Sequence, residues 1–199
     1  FTQPKKVYID PQVLSTLSKK QVKNGLAEIV KHGLISDKGI LRILKKNPEK
    51  ALNAHTTTIT QLLIRSCRVK GRVVEKDELE KGLRMILNYG HSIGHAIEHA
   101  SNYSLNHGEA IAIGMNLENR LAVDKKILSS KNCERIEELL KLIKLPTRIP
   151  AKIDRKPILK ALTKDKKNQG ETYTFTLLKR PGTPKIVHNI TAQDVKAVL

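Results

Sequence analysis

The chain has 199 residues, 39% of them hydrophobic, which is enough for one good-sized domain or two small ones and excludes a disordered chain. Aromatic residues make up only 3% and Trp is absent, so the core must be built from Leu, Ile, Val and Ala, a composition that suits packed helices better than a sandwich. The net charge of +18 draws anions from a distance, but lysines spread from Lys5 to Lys196 with little aromatic interleaving favour a solvated surface that steers an acidic substrate over a nucleic-acid face.

In chain order, Lys6 to Ile9 reads as a short extended piece, and Ser18-x-x-Gln21 as a capping box opening a helix that runs to about Gly33. On that helix Glu28 and Lys31 neighbour each other on one face. Asn47-Pro48 has the form of an N-cap and first helical residue, and a longer helix through Ile59, Leu62, Leu63 and Cys67 is predicted to end near Lys70-Gly71. Asp77 opens the way to a histidine-bearing helix over Asn88 to His99. Ala110 to Lys126 reads as a mostly apolar, buried helix, and Lys131 to Lys144 as an amphipathic one stopped before Pro146. Near the end the pattern changes: Thr172 to Leu178 alternates, Pro181-Gly182-Thr183-Pro184 is turn material, Lys185 to His188 is a return strand, and a last short helix follows Thr191. The expected fold is mainly α, a helical bundle-like domain over 1–199 with an extended entry segment at 1–17 and a small β-hairpin at about 171–188.

Cys67 and Cys133 form no C-x-x-C pair, so neither a thiolate zinc site nor a disulfide framework is indicated, and a reducing cytoplasm is the expected home. No run approaches the roughly 18 apolar residues of a membrane span and no charged-then-apolar leader opens the sequence, so a soluble, unexported protein without a membrane partner is expected.

The segment NYGHSIGHAIEH carries the most chemistry: His91, His95 and His99 follow one another at one-turn spacing, and a further imidazole stands at His107 in HGEAIAIGM. Three readings compete. The histidines can be ordinary helix residues making hydrogen bonds. His95-Ala-Ile-Glu98-His99 matches the H-x-x-E-H pattern of inverted zinc peptidases, with the glutamate as base. Alternatively His91 and His107 are ligands joined by a carboxylate from elsewhere, with coordination positions left open for substrate. Spacing alone does not separate the last two.

The opening FTQPKKVYID, GLAEIVKHGLI at Gly25 to Ile35, VKGRVVEKDELEKGLRMILNYGHSIGHAIEH from Val69 to His99, HGEAIAIGM from His107 and DKKNQG from Asp165 together resemble the 3-dehydroquinate synthase family, in order and over almost the whole chain. The resemblance covers only the C-terminal, helical, metal-binding half of that fold. The Rossmann-like N-terminal domain, with its glycine-rich pyrophosphate loop for NAD, has no counterpart here, since no G-x-G-x-x-G follows a strand. The chain is therefore expected to be a fragment or one subunit of a split enzyme, with the missing NAD-binding domain as its partner and a homodimer as the family's assembly.

Position by position, the resemblance makes Glu28, His91 and His107 the ligands of Zn²⁺, Co²⁺ or another divalent metal. Two neutral nitrogens and one anionic oxygen would leave the ion electrophilic. It places Lys31 at the substrate hydroxyls, Lys70 and Arg84 at the substrate carboxylate, and Lys166 or Lys167 near the phosphate, with Asn88 and His95 assisting. Val13, Leu14, Ser15 and Thr16 resemble a segment that touches NAD. A single helix is expected to carry Arg84, Asn88, His91 and His95 as one stripe, leaving Glu98 and His99 with mainly structural roles. The implied activity is conversion of 3-deoxy-D-arabino-heptulosonate 7-phosphate, a sugar acid phosphate, to 3-dehydroquinate and phosphate, a carbon–oxygen lyase step of the shikimate route to aromatic amino acids. Rival readings are another sugar-phosphate cyclase or a metal-dependent polyol dehydrogenase, which act on substrates without a carboxylate, and more remotely a basic nucleic-acid-binding module.

Overall fold

The computed structural model describes residues 5–164 and 172–199. Two helices form its centre. Helix α1 (Lys19–Ile35) starts at the predicted capping box, where the Ser18 hydroxyl accepts the Gln21 backbone N–H and the Gln21 side-chain amide oxygen accepts the Ser18 N–H, both at 3.3 Å. Its second half is buried on every side, from Ile29 to Ile35, which carries two polar residues, Lys31 and His32, into the interior. The other central helix, numbered α6 (His107–Asp124), is buried almost continuously from Ala110 to Asn119. Its start is fixed by Glu109, whose carboxylate accepts the Asn106 N–H at 3.0 Å.

Between them in sequence come α2 (Lys38–Lys46), α3 (Pro48–Leu52), α4 (Thr56–Lys76), a 3₁₀ segment at Leu83–Asn88 and α5 (His91–Ala100). After α6 follow α7 (Ser130–Leu142), α8 (Lys156–Lys164), strands β1 (Thr172–Arg180) and β2 (Thr183–Thr191), and α9 (Ala192–Val198). The mainly helical architecture with one C-terminal hairpin is the expected one. The two strands pair antiparallel, Phe175 opposite Val187, and bury Phe175, Leu177 and Leu178 against the helices. Their turn needs glycine: Gly182 has φ of +84° and donates its N–H to Leu34 O at the end of α1, at 2.6 Å.

Backbone contacts set the geometry around the histidines. A Cβ at Gly114 would lie 2.8 Å from the Gly94 nitrogen and against the Gly90 carbonyl oxygen, so the backbones of α5 and α6 meet here with no room for a side chain between them. At the crossing of α1 and α6 the Gly108 N–H donates to the Asn24 side-chain oxygen, one turn before Glu28. That contact brings the first turn of α6 onto the middle of α1.

Several predicted boundaries move. Helix α4 continues past Gly71 to Lys76, because Val69 and Val73 are both buried and their packing outweighs the roughly 1 kcal/mol a mid-helix glycine costs. The strand β2 is longer than Lys185 to His188. Helices α2 and α8 escaped the pattern reading; each is short, started by an aspartate that accepts a backbone N–H (Asp37 from Gly39, Asp154 from Lys156) and held by one apolar edge. The single stripe expected from Arg84 to His95 does not form. Leu83–Asn88 is a 3₁₀ turn, and Gly90 at φ +82° breaks the chain direction before α5 begins at His91. Among the described residues no helix is long and apolar enough to cross a membrane.

Candidate metal centre

His91 and His107 are the first residues of α5 and α6, and Glu28 lies mid-way along α1. The ligand atoms of these three side chains all lie within 4.8 Å of one another. Oε1 of Glu28 is 3.3 Å from His91 Nε2 and 3.6 Å from His107 Nε2, and it is buried without a well-formed hydrogen bond.

The outer edge of each ring explains why the inner edges converge. His91 Nδ1 is 3.1 Å from the Tyr89 carbonyl oxygen, which can only accept, so Nδ1 carries the proton. His107 Nδ1 is 3.3 Å from a Glu98 carboxylate oxygen and carries a proton for the same reason. In their neutral forms both rings therefore present bare Nε2 lone pairs toward a carboxylate oxygen. Three acceptors aimed at one point repel one another unless something positive lies between them. Partners that fix the outer nitrogen in this way are the usual support of metal-binding imidazoles, and two nitrogens with one carboxylate oxygen form a donor set for a divalent transition metal.

Electrostatics support the same centre. Burial pushes the Glu28 carboxyl up, but hydrogen bonds that the His107 and His91 rings donate when Nε2 carries a proton, and then the Lys31 ammonium, outweigh it and hold the group well below the usual carboxylate range. Lys31, only 3% exposed, donates to Glu28 Oε2 at 2.7 Å and lies 3.5 Å from His91 Nε2. Burial draws its ammonium below the ordinary lysine value, with the Glu28 charge opposing and the Lys70 charge assisting. The Glu28 contact lifts His107 above the ordinary histidine value against burial, with Glu98 adding to the lift.

A cavity of about 670 Å³ opens beside the cluster, lined by Asn88, His91, Ser92 and His95 on one side and by Tyr173 and Thr176 of β1 on the other. The three rings form a compact group, with His95 centroid distances of 5.2 Å to His91 and 5.8 Å to His107. Asn88 reaches the cavity despite leaving the helix, and its amide donates to Glu80 at 2.7 Å. Arg84 does not line it: its backbone N–H is held by Asp77 at 2.9 Å and its guanidinium donates to the Glu78 carbonyl at 2.5 Å. Lys70 is exposed on α4, close enough to Lys31 and His32 that its charge depresses both. The Val13 to Thr16 segment is a 3₁₀ turn beside α4; Leu14 packs on the core while Val13, Ser15 and Thr16 are exposed. Lys166 and Lys167 lie outside the described residues.

Two residues support the rings from outside. Glu98, expected in a mainly structural role, is the partner that fixes the His107 ring, and Glu118 escaped the sequence reading. Glu118 is fully buried in α6 and accepts the Gly90 N–H at 2.6 Å and the Ile93 N–H at 3.4 Å, at the start of α5. Burial pushes its carboxyl up to about 8, against the pull of the Gly90, Ile93 and Ser92 N–H groups. The signal was present: Glu118 interrupts an apolar helix face one turn after Gly114.

A family model for the 3-dehydroquinate synthase C-terminal region matches residues 25–168. The 3-dehydroquinate synthases of a Synechococcus strain and of Desulforamulus reducens are 42% and 41% identical to this chain over its full length, which corresponds to 55% and 56% of theirs. The chain thus spans about half the length of these relatives. Among solved structures, 2-epi-5-epi-valiolone synthase of Streptomyces hygroscopicus with NAD⁺ and Zn²⁺ bound superposes with a TM-score of 0.85 at 26% identity, over 96% of this chain and 53% of that one. A 2-deoxy-scyllo-inosose synthase complexed with carbaglucose-6-phosphate, NAD⁺ and Co²⁺ gives 0.80 at 28% identity, over 95% and 54%. With the family model covering most of the sequence and relatives above 40% identity over all of it, the chain belongs to the 3-dehydroquinate synthase C-terminal family.

Proposed function

We propose that this chain is the metal- and substrate-binding half of a 3-dehydroquinate synthase, acting on 3-deoxy-D-arabino-heptulosonate 7-phosphate together with an NAD-binding domain. The observation that carries the reading is the convergence of Glu28, His91 and His107 with both outer ring nitrogens already committed to acceptors. When bound, a divalent cation at this point supplies a Lewis acid for a substrate hydroxyl, and NAD supplies the hydride acceptor.

The chain's own residues provide the rest. Glu28, ionised and half-buried, fixes the negative side of the centre. Lys31, held 2.7 Å from it, is assigned to a ring hydroxyl of the substrate, and its weakened basicity suits proton exchange with that hydroxyl. His95 and Asn88, on the cavity wall, are placed to hold the leaving phosphate and to move a proton at its bridging oxygen. The phosphate itself falls to Lys166 or Lys167, and the substrate carboxylate to Lys70 and Arg84, whose guanidinium must leave the Glu78 carbonyl to reach it. Sequence relatives above 40% identity carry the dehydroquinate synthase name, whereas the other cyclases stand at 26% and 28%, which favours this substrate over sugars lacking a carboxylate.

The test is phosphate release from the heptulosonate phosphate with zinc or cobalt and NAD, with the family's N-terminal domain present and absent. Release that needs the added domain and disappears in Glu28→Ala supports the reading. Release unchanged by Glu28→Ala, or none with any metal, refutes it.

A further inference from the structure

Glu118 has no place in the chemistry just described, yet it is a carboxyl group at full burial with both oxygens committed to backbone N–H groups. Such a group is costly to desolvate, so the contacts it makes must be worth keeping. Its stronger contact, 2.6 Å, is with the N–H of Gly90. That N–H belongs to the same peptide group as the Tyr89 carbonyl, and the Tyr89 carbonyl is the acceptor for His91 Nδ1–H at 3.1 Å. A carboxyl, one planar peptide unit and an imidazole are thus joined in series, in one direction of polarity.

We infer that Glu118 is a positioning residue for His91, acting on the metal centre through the Tyr89–Gly90 peptide. The argument rests on reading Glu28, His91 and His107 as metal ligands. An acceptor on the amide N–H draws its proton outward and makes the carbonyl of the same unit a better acceptor, since linked hydrogen bonds polarise one another. The better acceptor fixes the Nδ1–H tautomer of His91 and makes Nε2 a stronger donor to a cation. The two imidazoles are then supported alike: His107 by Glu98 directly, His91 by Glu118 at one remove. The surroundings hold the relay stiffly. Tyr89 is buried, and its hydroxyl donates to Asn119, the residue after Glu118, at 2.9 Å. Gly90 sits at φ +82°, where a side chain would be strained and a Cβ would collide with Met115. The peptide plane therefore has little freedom to rotate away from either partner.

The experiment uses the intact protein labelled with ¹⁵N and ¹³C, titrated with zinc. Zinc binding is measured first in the wild type and in Glu28→Ala: no binding, or binding unaffected by Glu28→Ala, defeats the metal reading itself. With that reading standing, the relay predicts that zinc shifts the Gly90 amide proton downfield and moves the Glu118 carboxyl carbon, although neither touches the ion. Glu118→Gln should weaken zinc binding by more than about threefold but by less than the roughly tenfold to hundredfold of a direct partner of a metal-binding histidine, and should shift the His91 Nδ1–H resonance while leaving that of His107 in place. Glu98→Gln should do the reverse. A Glu118→Gln protein that folds, binds zinc within about threefold of wild type and keeps the His91 resonance overturns the inference. Should that variant fail to fold, the wild-type titration decides: an unmoved Gly90 amide and Glu118 carboxyl on zinc binding overturns it equally.

Discussion

Burial of His32 ties stability to pH. The ring is 5% exposed, one turn beyond Glu28 on α1, and its Nδ1 lies 2.6 Å from the Ser66 hydroxyl of α4. Burial, then the Lys31 charge, depress its pKa from 6.5 to about 4. Between those two values the unfolded chain binds a proton that the folded chain refuses, so stability rises with pH. The contribution is complete above 6.5 and gone below about 4, and the gap corresponds to about 3 kcal/mol. A domain stable by roughly 5–15 kcal/mol would feel that loss. Urea unfolding followed by far-UV circular dichroism, with EDTA present and at a series of pH values, measures it for the wild type and for His32→Gln. Other titrating groups are common to both proteins. The substitution should cost stability near neutral pH, and the difference between the two proteins should shrink by about 3 kcal/mol on acidification to about pH 4. A difference that stays constant to within about 0.5 kcal/mol over that range would mean that His32 is not held neutral by the fold.

Three further outcomes follow from the site. Lys31→Met should keep zinc bound, as judged by metal analysis after dialysis, while phosphate release falls roughly a hundredfold or more; loss of the metal instead would place Lys31 in support of Glu28 and not at the substrate. Gly114→Ala should separate α5 from α6, costing about 1–3 kcal/mol and lowering the melting temperature by about 5 °C, with weaker zinc binding because His91 moves; an unchanged melting curve would contradict the close backbone approach. Zinc affinity should fall on acidification, since Glu28 and Glu98 lift His107 above the ordinary histidine value and a protonated ring cannot hold the ion; an affinity by calorimetry that does not change with pH would argue against His107 as a ligand.

What the sequence revealed depended on how local the determining physics is. The capping box at Ser18 and Gln21, the pairing of Glu28 with Lys31, and the alternation of Thr172 to Leu178 are settled within a few residues, and each appears where the pattern placed it. The turn after Asp77 is different. Its Leu83–Asn88 stretch has helical spacing, but Asp77 ties down the Lys81, Gly82 and Arg84 N–H groups and Thr176 of β1 donates to the Met85 carbonyl at 2.8 Å, contacts made by the loop fold and a distant strand. Periodicity could not show them, and the expected Arg84-to-His95 stripe failed for that reason. Glu118 was missed in the same way, and the partner of Glu98 could not be named, because the importance of each lies in which backbone or ring it meets across α5 and α6. Helices α2 and α8 were missed because nine residues give too few turns for a clear period.

Both ligand imidazoles stand at the opening residue of a helix, and this adds a main-chain part to the electrostatics of the centre. Each helix start carries the equivalent of roughly half a positive charge from its aligned peptide dipoles, so two of them begin at one place with a single carboxylate of α1 set between them. At α5 that positive end is shared with Glu118, which takes the Gly90 and Ile93 N–H groups, so the main chain on one side and a buried carboxyl on the other hold the first turn of the helix in place whatever the side chains around it do.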